Sequence, residues 1–103
     1  MKAKFGDTFT LNNGVQMPMA GLGTAGFNDP EHLAYAAQLG YSLFDTATDY
    51  ANEHLVGEGM RQSGVPREEL FITTKVWNSK HGYDKTLKAF EYSLNELKMD
   101  YID

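Results

Sequence analysis

Two short runs near the start, Phe9-Thr10-Leu11 and Val15-Gln16-Met17, place apolar side chains on either side of a polar one. Between them lies Asn12-Asn13-Gly14, a turn signal, so the pattern predicts an N-terminal β-hairpin. Pro18 ends its second arm. A longer rhythm then sets in. Residues 19–23 read as a short strand or loop. Asp29-Pro30 opens a helix, with Asp29 as N-cap and Pro30 at the first helical position. That helix runs to Leu39 and stops at Gly40. Tyr41-Ser42-Leu43-Phe44 reads as a strand ending at Asp45. A second helix is expected from Asn52 to Ser63, stopped by Gly64. Leu70-Phe71-Ile72-Thr73-Thr74 suits a pleated surface and ends at Lys75. A third helix is expected over residues 83–98, with Leu87, Phe90, Leu94 and Leu97 on one apolar stripe. Tyr101-Ile102 begins another strand.

The strand centres fall near residues 21, 43, 72 and 102. The last two intervals are about 30 residues, the size of a βα unit. Alternating strands and helices imply a parallel sheet with helices packed on it. The reading is therefore an α/β chain: hairpin over residues 1–18, then three βα units and the start of a fourth strand over 19–103. Gly59, inside the second helix, costs about 1 kcal/mol in helix propensity.

Composition narrows the function classes. A formal charge of −5 with nine scattered Lys and Arg argues against nucleic acid as the main partner. No apolar run approaches the ~20 residues of a membrane span. Met1-Lys2-Ala3-Lys4 runs into Phe5-Gly6-Asp7, not into the apolar core of a signal peptide, so a cytoplasmic protein is expected. Zero cysteines exclude disulfides and thiolate chemistry within the chain. His32, His54 and His81 lie at no metal-ligand spacing and are expected to face solvent.

Ligands of parallel α/β proteins gather at the C-terminal ends of strands. Here those ends carry Gly23-Thr24, then Asp45 with Tyr50 in its loop, then Lys75 with Trp77 and Asn78 beyond. One reading is a doubly wound NAD-binding domain. Gly21-Leu22-Gly23-Thr24-Ala25-Gly26 matches G-x-G-x-x-G, and Asp45 stands where the ribose-binding acid would be. That reading requires the glycines to open a helix whose N-terminus holds the pyrophosphate. Asn28-Asp29-Pro30 places the helix start beyond the last glycine, since proline fits the first turn and not the interior. It also leaves Tyr50 and Lys75 without a role.

A second reading uses those residues. Phe44-Asp45-Thr46-Ala47 with Tyr50, Asn52-Glu53 and Val56-Gly57 resembles the aldo-keto reductase signature. Phe71-Ile72-Thr73-Thr74-Lys75-Val76-Trp77-Asn78 resembles it too, as do Met17-Pro18, Gly21-Leu22-Gly23-Thr24 and the stretch from Ser93-Leu94 to Asp103. The resemblance runs from about residue 11 to 103, and is to the small prokaryotic-type members that reduce keto sugars and other carbonyls. It implies an eight-stranded (β/α)8 barrel with the hairpin plugging its bottom. It implies NADPH as cofactor, with NADH as the alternative, and a small carbonyl compound as substrate. Asp45, Tyr50 and Lys75 then match catalytic positions: Tyr50 as general acid to the developing alkoxide, a buried Lys75 ammonium favouring its phenolate form, and Asp45 pairing with Lys75 and touching the cofactor ribose. Gly23 and Thr24 would lie along the cofactor. Trp77 would wall the substrate pocket, widened where Ala25 replaces an aromatic side chain of many relatives.

The same resemblance marks what this stretch does not contain. The family's catalytic histidine lies a few residues beyond the match to Tyr101-Ile102-Asp103, and its residues for the 2′-phosphate and adenine lie in the last two βα units. A closed barrel needs roughly 200 residues or more. The chain is therefore expected to be the N-terminal portion of a monomeric reductase and inactive alone. The alternative is a non-catalytic half-barrel that self-associates through exposed edges.

Overall fold

The computed structural model describes residues 4–103; the reading of the first three residues lies outside them. The hairpin forms as expected. β1 (Thr8–Thr10) and β2 (Gln16–Pro18) pair antiparallel, with Phe9 opposite Met17. The turn closes through Leu11 N–H to the Val15 carbonyl (2.8 Å) and Val15 N–H to Asn13 Oδ1 (3.1 Å), with Gly14 at φ +88°.

Three parallel strands follow: β3 (Gly21–Gly23), β4 (Leu43–Asp45) and β5 (Phe71–Thr73), in the order β3-β4-β5. Three helices alternate with them: α1 (Pro30–Gln38), α2 (Glu53–Ser63) and α3 (Tyr83–Leu97). Side chains on a strand point alternately to opposite faces, so the register decides which residues share a face. The row Leu22, Phe44, Ile72 turns toward the helices, where Phe44 and Ile72 are fully buried. They pack with Leu33, Ala36, Ala37, Val56, Met60 and Leu97. The rows Gly21, Leu43, Phe71 and Gly23, Asp45, Thr73 turn to the opposite face. Asp45 is thereby set between a glycine and a threonine at the mouth of the sheet.

The helix starts and stops follow the local chemistry. Asp29 caps α1 by accepting from Glu31 N–H (2.9 Å), and Pro30 is its first residue. Gly64, at φ +73°, closes α2 in the left-handed region that glycine adopts without penalty. This geometry removes the doubly wound reading: Gly26 lies outside the helix at φ +82°, and α1 begins only at Pro30.

Three expectations need correction. Gly59 is not a mere propensity cost. A Cβ there would lie 2.8 Å from the Pro30 carbonyl and from Leu33 Cβ, so the missing side chain permits the close approach of α1 and α2. Residues 101–103 form no strand. Asp103 N–H donates once to the Ile72 carbonyl (3.0 Å), and the Asp103 side chain, not a backbone carbonyl, accepts from Ile72 N–H (3.0 Å). Arg67 holds that segment through an ion pair to Asp103 (2.8 Å) and by lying over the Tyr101 ring. Finally, the stripe on α3 is only half used: Leu97 is fully buried, while Leu87 and Phe90 stay 48% and 42% exposed. No helix among the described residues is long and apolar enough to cross a membrane.

Candidate active site

β4 delivers Asp45 to the mouth of the sheet, and β5 leads directly into Lys75. The Lys75 ammonium donates to Asp45 Oδ2 (2.7 Å), to the Thr46 carbonyl (3.0 Å) and to Tyr50 Oη (3.4 Å). Asp45 Oδ1 accepts from the Thr73 hydroxyl at 2.6 Å. All three sequence-predicted residues therefore meet around one nitrogen, across 25 to 30 positions of chain.

Tyr50 reaches that nitrogen through a tight 3-10 turn, Thr48–Tyr50, ended by Ala51 at φ +56°. A positive φ at a residue with a side chain is uncommon and reverses the chain sharply. The turn is anchored to the next strand's exit, because Thr48 N–H (3.4 Å) and Thr48 Oγ1 (3.1 Å) both donate to the Lys75 carbonyl. The turn carrying Tyr50 is thus tied to the Lys75 main chain.

The charges stabilise one another. Burial works against the Lys75 ammonium, but its hydrogen bonds to Asp45 and Tyr50 and the Asp45 charge outweigh this, so its pKa rises above the ordinary 10.5. Burial likewise opposes the Asp45 carboxylate. Hydrogen bonds from Lys75 and Thr73, and the Lys75 charge, overcome it and hold its pKa below the ordinary 3.8. The pair is charged at neutral pH. One expectation fails here: Lys75 is not buried. Its side chain is 52% exposed and that of Asp45 42%, at the open mouth of the sheet.

The remaining predicted residues sit around this cluster. Trp77, 47% exposed, forms one wall of an open depression of about 190 Å³ that also takes in Tyr50, Lys75 and Asn78. Gly23 and Ala25 lie exposed at the neighbouring strand end, and a Cβ built at Gly23 meets nothing within 4 Å. Thr24 is fully buried, with both its N–H (3.0 Å) and hydroxyl (3.1 Å) donating to the Asp45 carbonyl. His32, His54 and His81 are exposed, and no histidine bonds Asp45, Tyr50 or Lys75. No group of metal-binding side chains occurs among the described residues.

Sequence reasoning missed the support beneath the cluster. Asn52 is buried, yet it does not cap α2 with its side chain. Its amide donates to the carbonyls of Thr24 (2.7 Å) and Phe27 (3.1 Å) and accepts from the Thr46 hydroxyl (3.2 Å). Glu53, equally buried, accepts from the Thr74 hydroxyl at 2.7 Å. The start of α2 therefore ties down the exits of all three strands. An Asn before a helix reads as a cap, so its long-range bonds left no separate signal.

The aldo/keto reductase family profile matches residues 21–103. The chain belongs to the aldo/keto reductase family. It is 50% identical over 107 residues to a glyoxal reductase of Bacillus subtilis, covering 100% of this chain and 39% of that protein. It is 52% identical over 98 residues to a 9,11-endoperoxide prostaglandin H2 reductase of Trypanosoma cruzi, covering 91% and 35%. Among solved structures, an aldo/keto reductase from Brucella melitensis superposes with TM-score 0.88 at 42% identity, over 93% of this chain and 38% of that one. A Bombyx mori aldo-keto reductase in complex with NADP gives TM-score 0.88 at 36% identity, over 98% and 37%. These aldo-keto reductases are (β/α)8 barrels, and this chain corresponds to the hairpin and the first three βα units. It spans a little over a third of the relatives' length.

Proposed function

We propose that this chain supplies the proton-donating corner of a cytoplasmic reductase that converts aldehydes and ketones to alcohols. Tyr50 gives its phenolic proton to the carbonyl oxygen of the substrate as negative charge develops there. Lys75, one hydrogen bond away, stabilises the phenolate left behind. Asp45 and the Thr46 carbonyl hold the Lys75 ammonium in place, and Thr73 fixes Asp45. The carrying observation is the meeting of Tyr50 Oη and Asp45 Oδ2 on one ammonium, at 3.4 and 2.7 Å.

The residues present fit part of a nicotinamide cofactor, NADPH with NADH as the alternative. The open shelf at Gly23 and Ala25 admits a planar group, and the half-exposed Asp45 carboxylate faces the same mouth, suited to a ribose hydroxyl. When bound, the cofactor supplies the hydride. Thr24 contributes by fixing the Asp45 main chain. Trp77 and Asn78 border the substrate, and Ala25 leaves room beside it.

The bare 103-residue chain is expected to show no measurable oxidation of NADPH with glyoxal. A chimera carrying residues 1–103 in place of the matching segment of the Bacillus subtilis glyoxal reductase is expected to reduce glyoxal. A folded but inactive chimera would contradict the proposal.

A second reading has its own observation. Leu87 and Phe90 present an uncovered apolar face on α3, which suits a non-catalytic half-barrel pairing with its own copy. Sedimentation of the bare chain separates the two: a stable dimer favours this reading, a monomer the first.

A further inference from the structure

Lys80, Lys85 and Lys88, three of the nine cationic side chains, line one cavity of about 550 Å³. Thr48, Ala89 and Tyr92 complete its lining. Lys85, Lys88, Ala89 and Tyr92 recur at helical spacing, so they form a single face of α3. That face looks toward the Thr48–Tyr50 turn and the start of α2. It differs from the face carrying Leu87 and Phe90, so the cavity does not depend on what covers the latter. Lys80 enters from the 3-10 turn Asn78–Lys80, whose last carbonyl accepts from Thr86 Oγ1 (3.4 Å).

None of the three ammonium groups is held in an ion pair, although Asp84 stands one helical turn before Lys88. Among the described residues, the ion pairs are Arg61–Glu58, Arg67–Asp103 and Lys75–Asp45, and none involves these lysines. Two further acids, Glu53 and Glu96, line an adjoining cavity that shares Thr48 and Tyr92 with this one, and Glu96 accepts from the Tyr92 hydroxyl. A chain of net charge −5 thus gathers unpaired positive charge at one concave spot. Like charges held together repel, and an anion among them relieves that repulsion. The walls are not purely polar either. The Tyr92 ring, the Ala89 methyl and the lysine stems supply apolar surface.

We propose that this cavity binds a small organic anion, a carboxylate or phosphate ester carried on an apolar body. The anionic group sits among Lys80, Lys85 and Lys88, and the apolar body lies against Tyr92 and Ala89. The site stands apart from the Tyr50 depression and requires neither cofactor nor turnover. Thr48 connects the two, since it walls this cavity and bonds the Lys75 carbonyl.

The test is titration of the 15N-labelled full chain by NMR with three probes: 2-naphthoate, the neutral 2-naphthalenemethanol and inorganic phosphate. The expected result is saturable shifts for naphthoate at the amides of Thr48, Lys80 and residues 85–92. Its affinity should exceed that of either other probe at least tenfold and weaken as salt rises. The triple variant Lys80→Gln, Lys85→Gln, Lys88→Gln should retain a dispersed spectrum and lose naphthoate affinity at least tenfold. The proposal is overturned if naphthoate gives no saturable shift there, if the neutral alcohol or phosphate binds as well, or if the folded triple variant binds unchanged.

Discussion

Lys75 is the residue on which the site turns, because oxygens of Asp45, Thr46 and Tyr50 share its ammonium. The pH behaviour of the pair has a definite sign. Asp45 has a depressed pKa in the folded protein, so its contribution to stability is present above about pH 4 and is lost as pH falls through the folded value. Lys75 has a raised pKa, so its contribution is complete below about pH 10 and is lost as pH rises through the folded value. Both side chains are close to half exposed, so solvent screening keeps the effect small. Urea unfolding of the parent and of Asp45→Asn should therefore converge at low pH and separate modestly at pH 7. Asn52 is the costlier position. Asn52→Ala leaves the Phe27 carbonyl and the Thr46 hydroxyl without partners and removes one of two donors from the buried Thr24 carbonyl, and is expected to destabilise by about 2–3 kcal/mol in the same assay. Asp45, Tyr50 and Lys75 were legible in the sequence because their order along the chain resembles a known motif. Asn52 and Glu53 were visible in that motif too, but their partners Thr24 and Thr74 lie 28 and 21 residues away and needed the fold.

At the scale of elements, helix boundaries were read closely because each has a local cause. Asp29-Pro30, Gly40 and Gly64 all act within one turn of where they stand. Packing between helices is not local, and there the reading of Gly59 went wrong. The α1–α2 contact requires an atom's absence at that point, so Gly59→Ala should destabilise despite its better helix propensity. An overpacked contact costs about 1–3 kcal/mol, which outweighs the ~1 kcal/mol gained. Gly57→Ala should be worse, since its Cβ would collide with the Leu97 carbonyl of α3, which is backbone and cannot rotate aside. Thermal unfolding ranks the three: parent, then Gly59→Ala, then Gly57→Ala. On α3, apolar spacing alone did not separate buried from exposed positions. Leu97→Ala should cost about 2–5 kcal/mol, whereas Leu87→Ala, at a half-exposed site, should cost far less.

At the scale of the whole molecule, the chain is a hairpin and a three-stranded parallel sheet with helices on one face and the Asp45, Tyr50 and Lys75 cluster at its mouth. The exposure of that mouth leaves Lys75, expected to be buried, open to solvent. It does not loosen the cluster, whose hydrogen bonds all lie within the chain. The α2 N-terminus ties the strand exits together from the helix side. On the proposed function, this segment builds the geometry of proton donation and hydride transfer belongs to the complete barrel. The value of kcat for Tyr50→Phe in the glyoxal reductase chimera tests this most directly. The account predicts a fall of at least about 100-fold, the scale of a lost general acid, with NADPH binding by fluorescence unchanged within twofold. A kcat equal to that of the parent chimera would contradict it.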